Sequence, residues 1–149
     1  MVRKILVFIL LALPLAAQVK LTQGTDRIAI EIDGKPFTDL FIGSAYVKPF
    51  LHPLRAASGT IVTRRFPMEL VEGEARDHPH HRGLWFTHGD VNGIDFWANE
   101  PTDKRTNLGR VVIRRLVNLK DGKKSGFLKA LFDWQDPKGK VLLSELRTI

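Results

Sequence analysis

Hydrophobic and polar side chains alternate along most of the chain. The isoleucines of segment 28–32 are separated by single polar or small residues, and this spacing of two is typical of a strand with one buried face. Asp33-Gly34 follows directly and favours a tight hairpin turn. Residues 35–42 are therefore predicted to return as an antiparallel strand.

The C-terminal third of the chain shows the same alternation. Segments 111–117, 128–134 and 141–147 each predict a strand, and turns are predicted at Asp121-Gly122 and at residues 136–139. One face of the middle strand is predicted to carry Leu128, Ala130, Phe132 and Trp134. Helical periodicity is not convincing in any segment. The sequence therefore predicts an all-β fold, an antiparallel β-sandwich with hairpin connections.

The middle of the chain, residues 43–108, is rich in Pro, Gly, His, Asp and Asn. It predicts only two short strands, at residues 60–64 and 84–88. Long irregular segments on a β-scaffold are where binding and catalytic groups usually lie. We therefore expect the functional site in this segment.

The first 17 residues have the features of a signal peptide. Arg3 and Lys4 precede an apolar run of residues 5–15, and Ala16 and Ala17 are small residues suited to cleavage. The run is too short to span a bilayer, which takes about 20 apolar residues. We expect a secreted or periplasmic protein without stable membrane insertion after cleavage.

The remaining residues, 18–149, are predicted to form one β-sandwich domain. An apolar strand pattern continues to Ile149, and a strand that ends in this way leaves an apolar face and an unpaired edge. We therefore expect this domain to be incomplete at its C-terminus and the chain to be part of a longer protein.

Composition narrows the chemistry. The chain has no cysteine, which excludes disulfides, thiolate metal ligands and a cysteine nucleophile. Any metal site must use imidazole and carboxylate ligands. The formal net charge is +7, but the basic residues are scattered, as on a solvated basic surface. Nucleic acid is not an expected partner.

Chemistry-bearing side chains concentrate in residues 77–97. All five histidines lie between positions 52 and 88, and three of them fall within residues 78–81. Imidazole, carboxylate, guanidinium and indole groups at this density are typical of sites for a metal, a sugar or an anion. On an extended backbone His78 and His80 would project to the same side about 6.6 Å apart. A divalent metal bound by these two residues is therefore one hypothesis, with a third ligand from His52, Asp77, His88 or Asp90.

The hypothesis that we favour is hydrogen bonding and proton transfer on a carbohydrate or another small polar ligand, with no cofactor required. Trp85 and Trp97 offer flat faces for sugar rings, and imidazole transfers protons near neutral pH. The predicted catalytic residues are His80, His81 and Asp90. The predicted ligand-binding residues surround them in sequence: His52, Arg55, His78, Arg82, Trp85, His88, Asn92, Asp95 and Trp97. A non-catalytic interaction module, with these residues in structural roles, is the remaining alternative.

Several motifs in this region resemble those of the PmoA-like family. They are Lys48-Pro49-Phe50-Leu51-His52-Pro53-Leu54-Arg55, Thr63-Arg64-Arg65-Phe66-Pro67, Asp77 to Trp85, and His88 to Trp97, and a weaker similarity is found at Leu142 to Arg147. The family comprises exported bacterial domains of unknown function that are often labelled "methane oxygenase PmoA".

The resemblance covers about residues 19–147 and implies a β-sandwich of the galactose-mutarotase type that handles carbohydrate. Family members are longer, with further histidine, arginine and tryptophan motifs in a second half, so this chain corresponds to their N-terminal half. The methane oxygenase label does not fit, because the methane monooxygenase subunit of that name crosses the membrane several times. The mature chain has no apolar segment of spanning length.

Overall fold

The computed structural model describes residues 18–100 and 102–149, which form eight β-strands and no α-helix. The predicted all-β fold is confirmed. The signal peptide predicted for residues 1–17 lies outside the described residues. Within the described ranges, no helix has the length and apolar character needed to cross a membrane.

The strands form two antiparallel sheets. The first sheet has five strands that pair in chain order: β1 (Val19–Gln23), β2 (Arg27–Ile32), β3 (Lys35–Phe41), β4 (Phe50–His52) and β5 (Leu84–Trp85). The second sheet has three: β6 (Arg110–Lys120), β7 (Phe127–Gln135) and β8 (Val141–Thr148).

Two of the three predicted turns form as expected. Asp33 and Gly34 both have positive φ, 53° and 71°, which is the geometry of a two-residue hairpin turn between β2 and β3. Residues 136–139 close the β7–β8 hairpin, and the Asp136 backbone N–H donates to the Lys140 carbonyl over 2.9 Å.

The turn predicted at Asp121-Gly122 is instead part of a six-residue loop between β6 and β7. The loop is longer because it binds the first sheet. The Asp121 carboxylate accepts a hydrogen bond from the Leu21 backbone N–H over 2.8 Å, and Gly122 pairs with Val19 through their backbones.

The two sheets pack against each other around one hydrophobic core. The predicted buried face of β7 is confirmed, since Leu128, Ala130 and Phe132 are fully buried. The core also contains Leu21, Ile28, Ile30 and Leu40 of the first sheet, Phe96 of the middle segment, and Val111 and Trp134 of the second sheet. Side chains of both sheets in one core form a sandwich arrangement.

The strand predicted at residues 60–64 does not form, and only an isolated bridge joins Arg55 to Ile61. The physical reason is that the segment bonds to the chain just before it. The Ala56 N–H donates to the Thr60 carbonyl and the Val62 N–H donates to the Leu54 carbonyl, both over 2.9 Å. These groups therefore close a local loop and are not available to a neighbouring strand.

The strand predicted at residues 84–88 is shortened to the two residues of β5. Beyond it, the Thr87 hydroxyl donates to the Phe96 carbonyl, and the Phe96 N–H donates to the His88 carbonyl. The chain therefore leaves the sheet and contacts its own later turn.

β5 attaches the middle segment to the sheet. Phe50 pairs with Trp85 and Leu51 pairs with Leu84. Leu51 packs against the core. Because side chains alternate along a strand, Trp85 projects from the opposite face. This face carries the candidate site.

Candidate functional site

A tight turn at residues 78–81 brings three imidazole rings together. The His81 backbone N–H donates to the His78 carbonyl over 2.9 Å, and His78 has a φ of 47°. The ring centroids are separated by 5.6 Å (His78 and His80), 5.0 Å (His78 and His81) and 4.4 Å (His80 and His81). The extended backbone that we assumed here is wrong. Because the backbone turns, His81 joins the other two rings instead of pointing away from them.

Arg64 and Asp77 fix this histidine turn from one side. Arg64 Nη2 donates to the carbonyls of Ala75 and Asp77, both over 2.8 Å, and lies 3.3 Å from Asp77 Oδ1. The other carboxylate oxygen of Asp77 is 2.7 Å from His78 Nδ1. This hydrogen bond lowers the pKa of Asp77, so that the carboxylate stays ionised beside His78.

An aromatic pair lies beside the histidine turn. The rings of Trp85 and Trp97 meet edge to face with centroids 4.5 Å apart, and the His81 ring is 5.8 Å from Trp85 and 6.2 Å from Trp97. These three rings border an open cavity of about 470 Å³. Its lining residues are Arg64, His81, Gly83, Leu84, Trp85, Phe86, Thr87 and Trp97.

Lys48 is buried beneath this aromatic pair. Its ammonium group donates to the Trp97 carbonyl and to Asn99 Oδ1, and Nζ lies 4.3 Å from the centroid of the Trp85 ring. Asn99 in turn donates to the Gly109 carbonyl over 2.6 Å. Burial lowers the pKa of Lys48 to about 8, against an opposing effect of Glu100. Lys48 therefore fixes both tryptophans, one through its ring and one through its backbone.

A buried ion pair links the histidine turn to the segment that carries Trp97. Arg82 donates to the two carboxylate oxygens of Glu100 over 2.6 and 2.7 Å. The Glu100 side chain is 8% exposed and that of Arg82 is 16% exposed. Since Arg82 directly follows His81, this two-point contact determines how the histidine turn faces the aromatic pair.

The environment of His80 and His81 disfavours protonation of their rings. Burial, followed by the effects of His81, Lys48 and His78, lowers the pKa of His80 to about 4, and only Asp95 opposes this among the groups that act most strongly. The pKa of His81 is lowered by burial and by His78, Arg64 and Lys48. Near neutral pH both rings can therefore accept a proton or a hydrogen bond from a ligand.

Four predicted site residues lie in a neighbouring turn with its own internal contacts. His88 Nδ1 is 2.9 Å from the Asp90 carbonyl, and the Asp90 carboxylate accepts a hydrogen bond from Gly93 N–H. Asn92 has a φ of 54°, as expected for the first residue of an Asn-Gly turn. Asp95 accepts hydrogen bonds from two backbone N–H groups and forms an ion pair with Arg105 at 2.9 Å. The structure therefore gives all four residues local structural contacts.

His52 and Arg55 also lie outside the cluster. His52 is 3% exposed, neither ring nitrogen has a hydrogen-bond partner, and burial lowers its pKa. Arg55 lines a different cavity, of about 360 Å³, together with Lys35 and Phe37. In total, the structure brings five of the twelve predicted residues together: His81, Trp85 and Trp97 line the cavity, and His78 and His80 lie against His81. Arg82 orients them through its ion pair.

The metal hypothesis receives no geometric support. Across residues 18–100 and 102–149, no three His, Asp or Glu side chains are placed to coordinate one ion. Binding of a divalent metal by His78 and His80 stays a prediction.

Comparison with known proteins identifies the family. The chain matches DUF6807, a family of unknown function, over residues 27–149. The chain belongs to this family. No curated protein and no solved structure matches it. The matched region contains every described strand except β1, and it includes the histidine turn and both tryptophans of this DUF6807 domain.

Sequence reasoning missed four residues that build the site: Arg64, Lys48, Asn99 and Glu100. In the sequence, Lys48 stands out only as the first residue of a motif that resembles the PmoA-like family. Its contacts with Trp97 and Asn99 bridge about 50 positions of the chain, a relation that no local pattern shows. The only available signal was that Asn99 and Glu100 follow Trp97 closely in a segment already rich in polar side chains.

Acid should destabilise the folded protein in part through His80. In the unfolded chain this imidazole binds a proton near its ordinary pKa of 6.5, whereas the folded protein binds it only near pH 4. The contribution to stability is complete above pH 6.5 and is lost as the pH falls towards 4. The ring is half-buried and partly screened by solvent, so we expect a loss of about 1–2 kcal/mol.

The measurement is urea unfolding at pH 7 and pH 4.5 for the wild type and for His80→Asn. The wild type should lose more unfolding free energy between the two pH values than the variant, because the variant lacks this proton-binding group. An equal loss in both proteins would contradict the lowered pKa of His80.

Proposed function

We propose that this DUF6807 domain binds a carbohydrate in the cavity beside Trp85, Trp97 and His81, and that His80 or His81 exchanges protons with the bound sugar. The observation that carries the proposal is the edge-to-face tryptophan pair next to three clustered imidazoles. The likeness to the PmoA-like family and export from the cytoplasm are part of this proposal. Membership in DUF6807 specifies no ligand.

The walls of the cavity supply both kinds of contact that a sugar needs. Indole faces pack against the C–H groups of a pyranose ring, and Trp97 is 46% exposed, which leaves much of its surface free for this contact. Imidazole and guanidinium groups at the same cavity can hydrogen-bond hydroxyl groups. The volume of about 470 Å³ lies within the usual range of small-molecule sites.

The histidine turn supplies the proton chemistry. The lowered pKa values of His80 and His81 favour the unprotonated rings near neutral pH. These rings therefore act as proton acceptors for a sugar hydroxyl and not as proton donors. Asp77 forms a hydrogen bond with His78 and orients that ring. Asp90, the third predicted catalytic residue, has its carboxylate in the neighbouring turn and takes no part in this arrangement.

The test is a glycan array followed by calorimetry on the bound glycan. Trp97→Ala, and separately the double variant His80→Asn/His81→Asn, should weaken binding at least tenfold, because each removes one wall of the cavity. Val117→Ala is the matched control, since Val117 is also an exposed apolar side chain but lies on β6 in the other sheet and does not line this cavity. Its affinity should equal that of the wild type.

Thermal unfolding of all variants verifies that each is folded. The carbohydrate proposal fails if the wild type binds no glycan, or if the tryptophan and histidine variants bind as tightly as the Val117 control.

A further inference from the structure

We propose that the carbohydrate bound at this site is acidic, and that its carboxylate or sulfate group binds among His80, His81 and Arg64. This inference rests on the carbohydrate site proposed above and adds the chemical class of the ligand. It follows from three features of the cavity: unpaired donors, carboxylates that are already engaged, and the positive charges that surround the histidine turn.

The first feature is hydrogen-bonding capacity that the protein does not use. Among the residues that the structure describes, no hydrogen bond joins the ring of His80 or His81 to another group, whereas His78 is paired with Asp77. Arg64 lines the same cavity as His81, and its Nε–H is buried with no acceptor. A buried guanidinium N–H without an acceptor is costly. The Nε–H itself is enclosed by protein, but the guanidinium to which it belongs can offer charge-assisted hydrogen bonds to an anion in the cavity.

The second feature is that nearby carboxylates are each bound by a protein cation. Glu100 is bound at both oxygens by Arg82. Asp95 is bound by Arg105. Asp77 is bound by His78 and by Arg64. None of these three carboxylates is therefore left without a cationic partner beside the His80 and His81 rings.

The third feature is the charge around the histidine turn. Burial is the largest cause of the lowered pKa of His80; among the neighbouring groups, His81, Lys48 and His78 lower this pKa further and only Asp95 raises it. The pKa of His81 is lowered by burial first and then by His78 and the cations Arg64 and Lys48, and it is raised by Asp77. A ligand anion placed here would offset this repulsion and favour protonated imidazole.

A coupling between the ligand and protons follows. Binding of an anion that raises the pKa of His80 or His81 is accompanied by proton uptake, so that affinity rises as the pH is lowered. A neutral sugar at the same site would lack this dependence. The pH response therefore distinguishes an acidic ligand from a neutral ligand that fits the same cavity.

The experiment compares trigalacturonic acid with its trimethyl ester, which has the same sugar rings without the charge. Calorimetry at pH 5.5 should show the acid binding at least tenfold more tightly than the ester, and this preference should shrink at pH 7.5. A sulfated trisaccharide and its unsulfated parent form a second matched pair, which distinguishes a sulfate from a carboxylate. Inorganic sulfate tests the anion without the sugar.

Three variants locate the anion. The preference for the acid over the ester should be abolished by His80→Asn/His81→Asn and, separately, by Arg64→Gln. Binding of the uncharged ester by the histidine variant measures the sugar contacts alone. Arg115→Gln is the control, since Arg115 is an exposed cation on β6 in the other sheet. It should retain the full preference.

The outcomes separate this inference from the proposed function. Equal binding of charged and neutral members in both pairs, or a preference that survives the histidine variant, overturns the acidic ligand and leaves the carbohydrate site standing. Binding of inorganic sulfate as tightly as the acidic sugars would also overturn it, because the sugar would then contribute nothing. If no glycan of any charge binds, both proposals fall.

Discussion

Replacing Gly83 by alanine is expected to lower the free energy of unfolding by about 3 kcal/mol and to abolish ligand binding. Gly83 has a φ of 73°, a conformation that costs a residue with a side chain about 1 kcal/mol. In addition, a Cβ atom at this position would overlap the carbonyl oxygen of Leu51 and lie 3.2 Å from the Cβ of His52. Both obstacles belong to β4 and cannot move independently of it.

The overlap cannot be relieved without separating β4 from β5. Only two residue pairs join these strands, and one of them positions Trp85. Any shift that accommodates the methyl group therefore displaces a wall of the cavity, so that stability and binding should be lost together.

Gly34→Ala is the matched control for this prediction. Gly34 has nearly the same φ, 71°, but a Cβ atom there would meet no neighbouring atom within 4 Å. This variant should therefore lose only about 1 kcal/mol and keep its ligand affinity. Urea unfolding and calorimetry measure the two quantities. Similar losses in both variants would show that backbone strain alone, and not contact with β4, explains the role of Gly83.

The strands of the β2–β3 and β7–β8 hairpins could be predicted from the sequence because the evidence for them is local. Alternating side chains in β2, β3, β7 and β8, with turn residues between them, are sufficient to identify two hairpins. The position of β7 in the core also followed from its pattern, since Leu128 and Phe132 lie on its apolar face and are fully buried.

The site could be predicted only as a segment. Residues 77–97 stood out by composition, but the arrangement of their side chains depends on contacts between distant residues. The turn that brings His81 to His78 requires a positive φ at His78, which is uncommon for a residue with a side chain. Arg64 then fixes the turn through backbone carbonyls, which sequence patterns do not reveal.

The same reason explains why half of the predicted residues fall outside the cluster. Histidine and aspartate were assigned to the site by proximity in sequence, yet His88 and Asp90 complete their own turn. Asp95 is engaged by Arg105 from ten positions away. A polar residue near a site in sequence can equally well satisfy the backbone of the loop that carries it.

Replacing Arg82 by methionine is expected to cost about 3–5 kcal/mol, because the Glu100 carboxylate would remain buried without its partner. The loss should also affect function. Arg82 follows His81, and Glu100 follows Asn99, which binds Lys48 under the tryptophans. Without the ion pair, the histidine turn is no longer fixed relative to Trp97, and glycan affinity should fall at least tenfold.

A double-mutant cycle separates the cost of the unpaired charge from the value of the pair. Arg82→Met/Glu100→Leu removes both charges and should recover most of the lost stability, since apolar replacement of a buried ion pair is often nearly neutral.

Arg105→Met is the control for an exposed ion pair, because the Arg105 side chain is 46% exposed. This variant should lose less than about 1 kcal/mol of unfolding free energy. If Arg82→Met costs no more than Arg105→Met, the buried pair does not stabilise the site. If the double variant regains stability but not glycan affinity, the pair serves to orient the histidine turn. The cavity then requires the two hydrogen bonds between Arg82 and Glu100, and not burial alone.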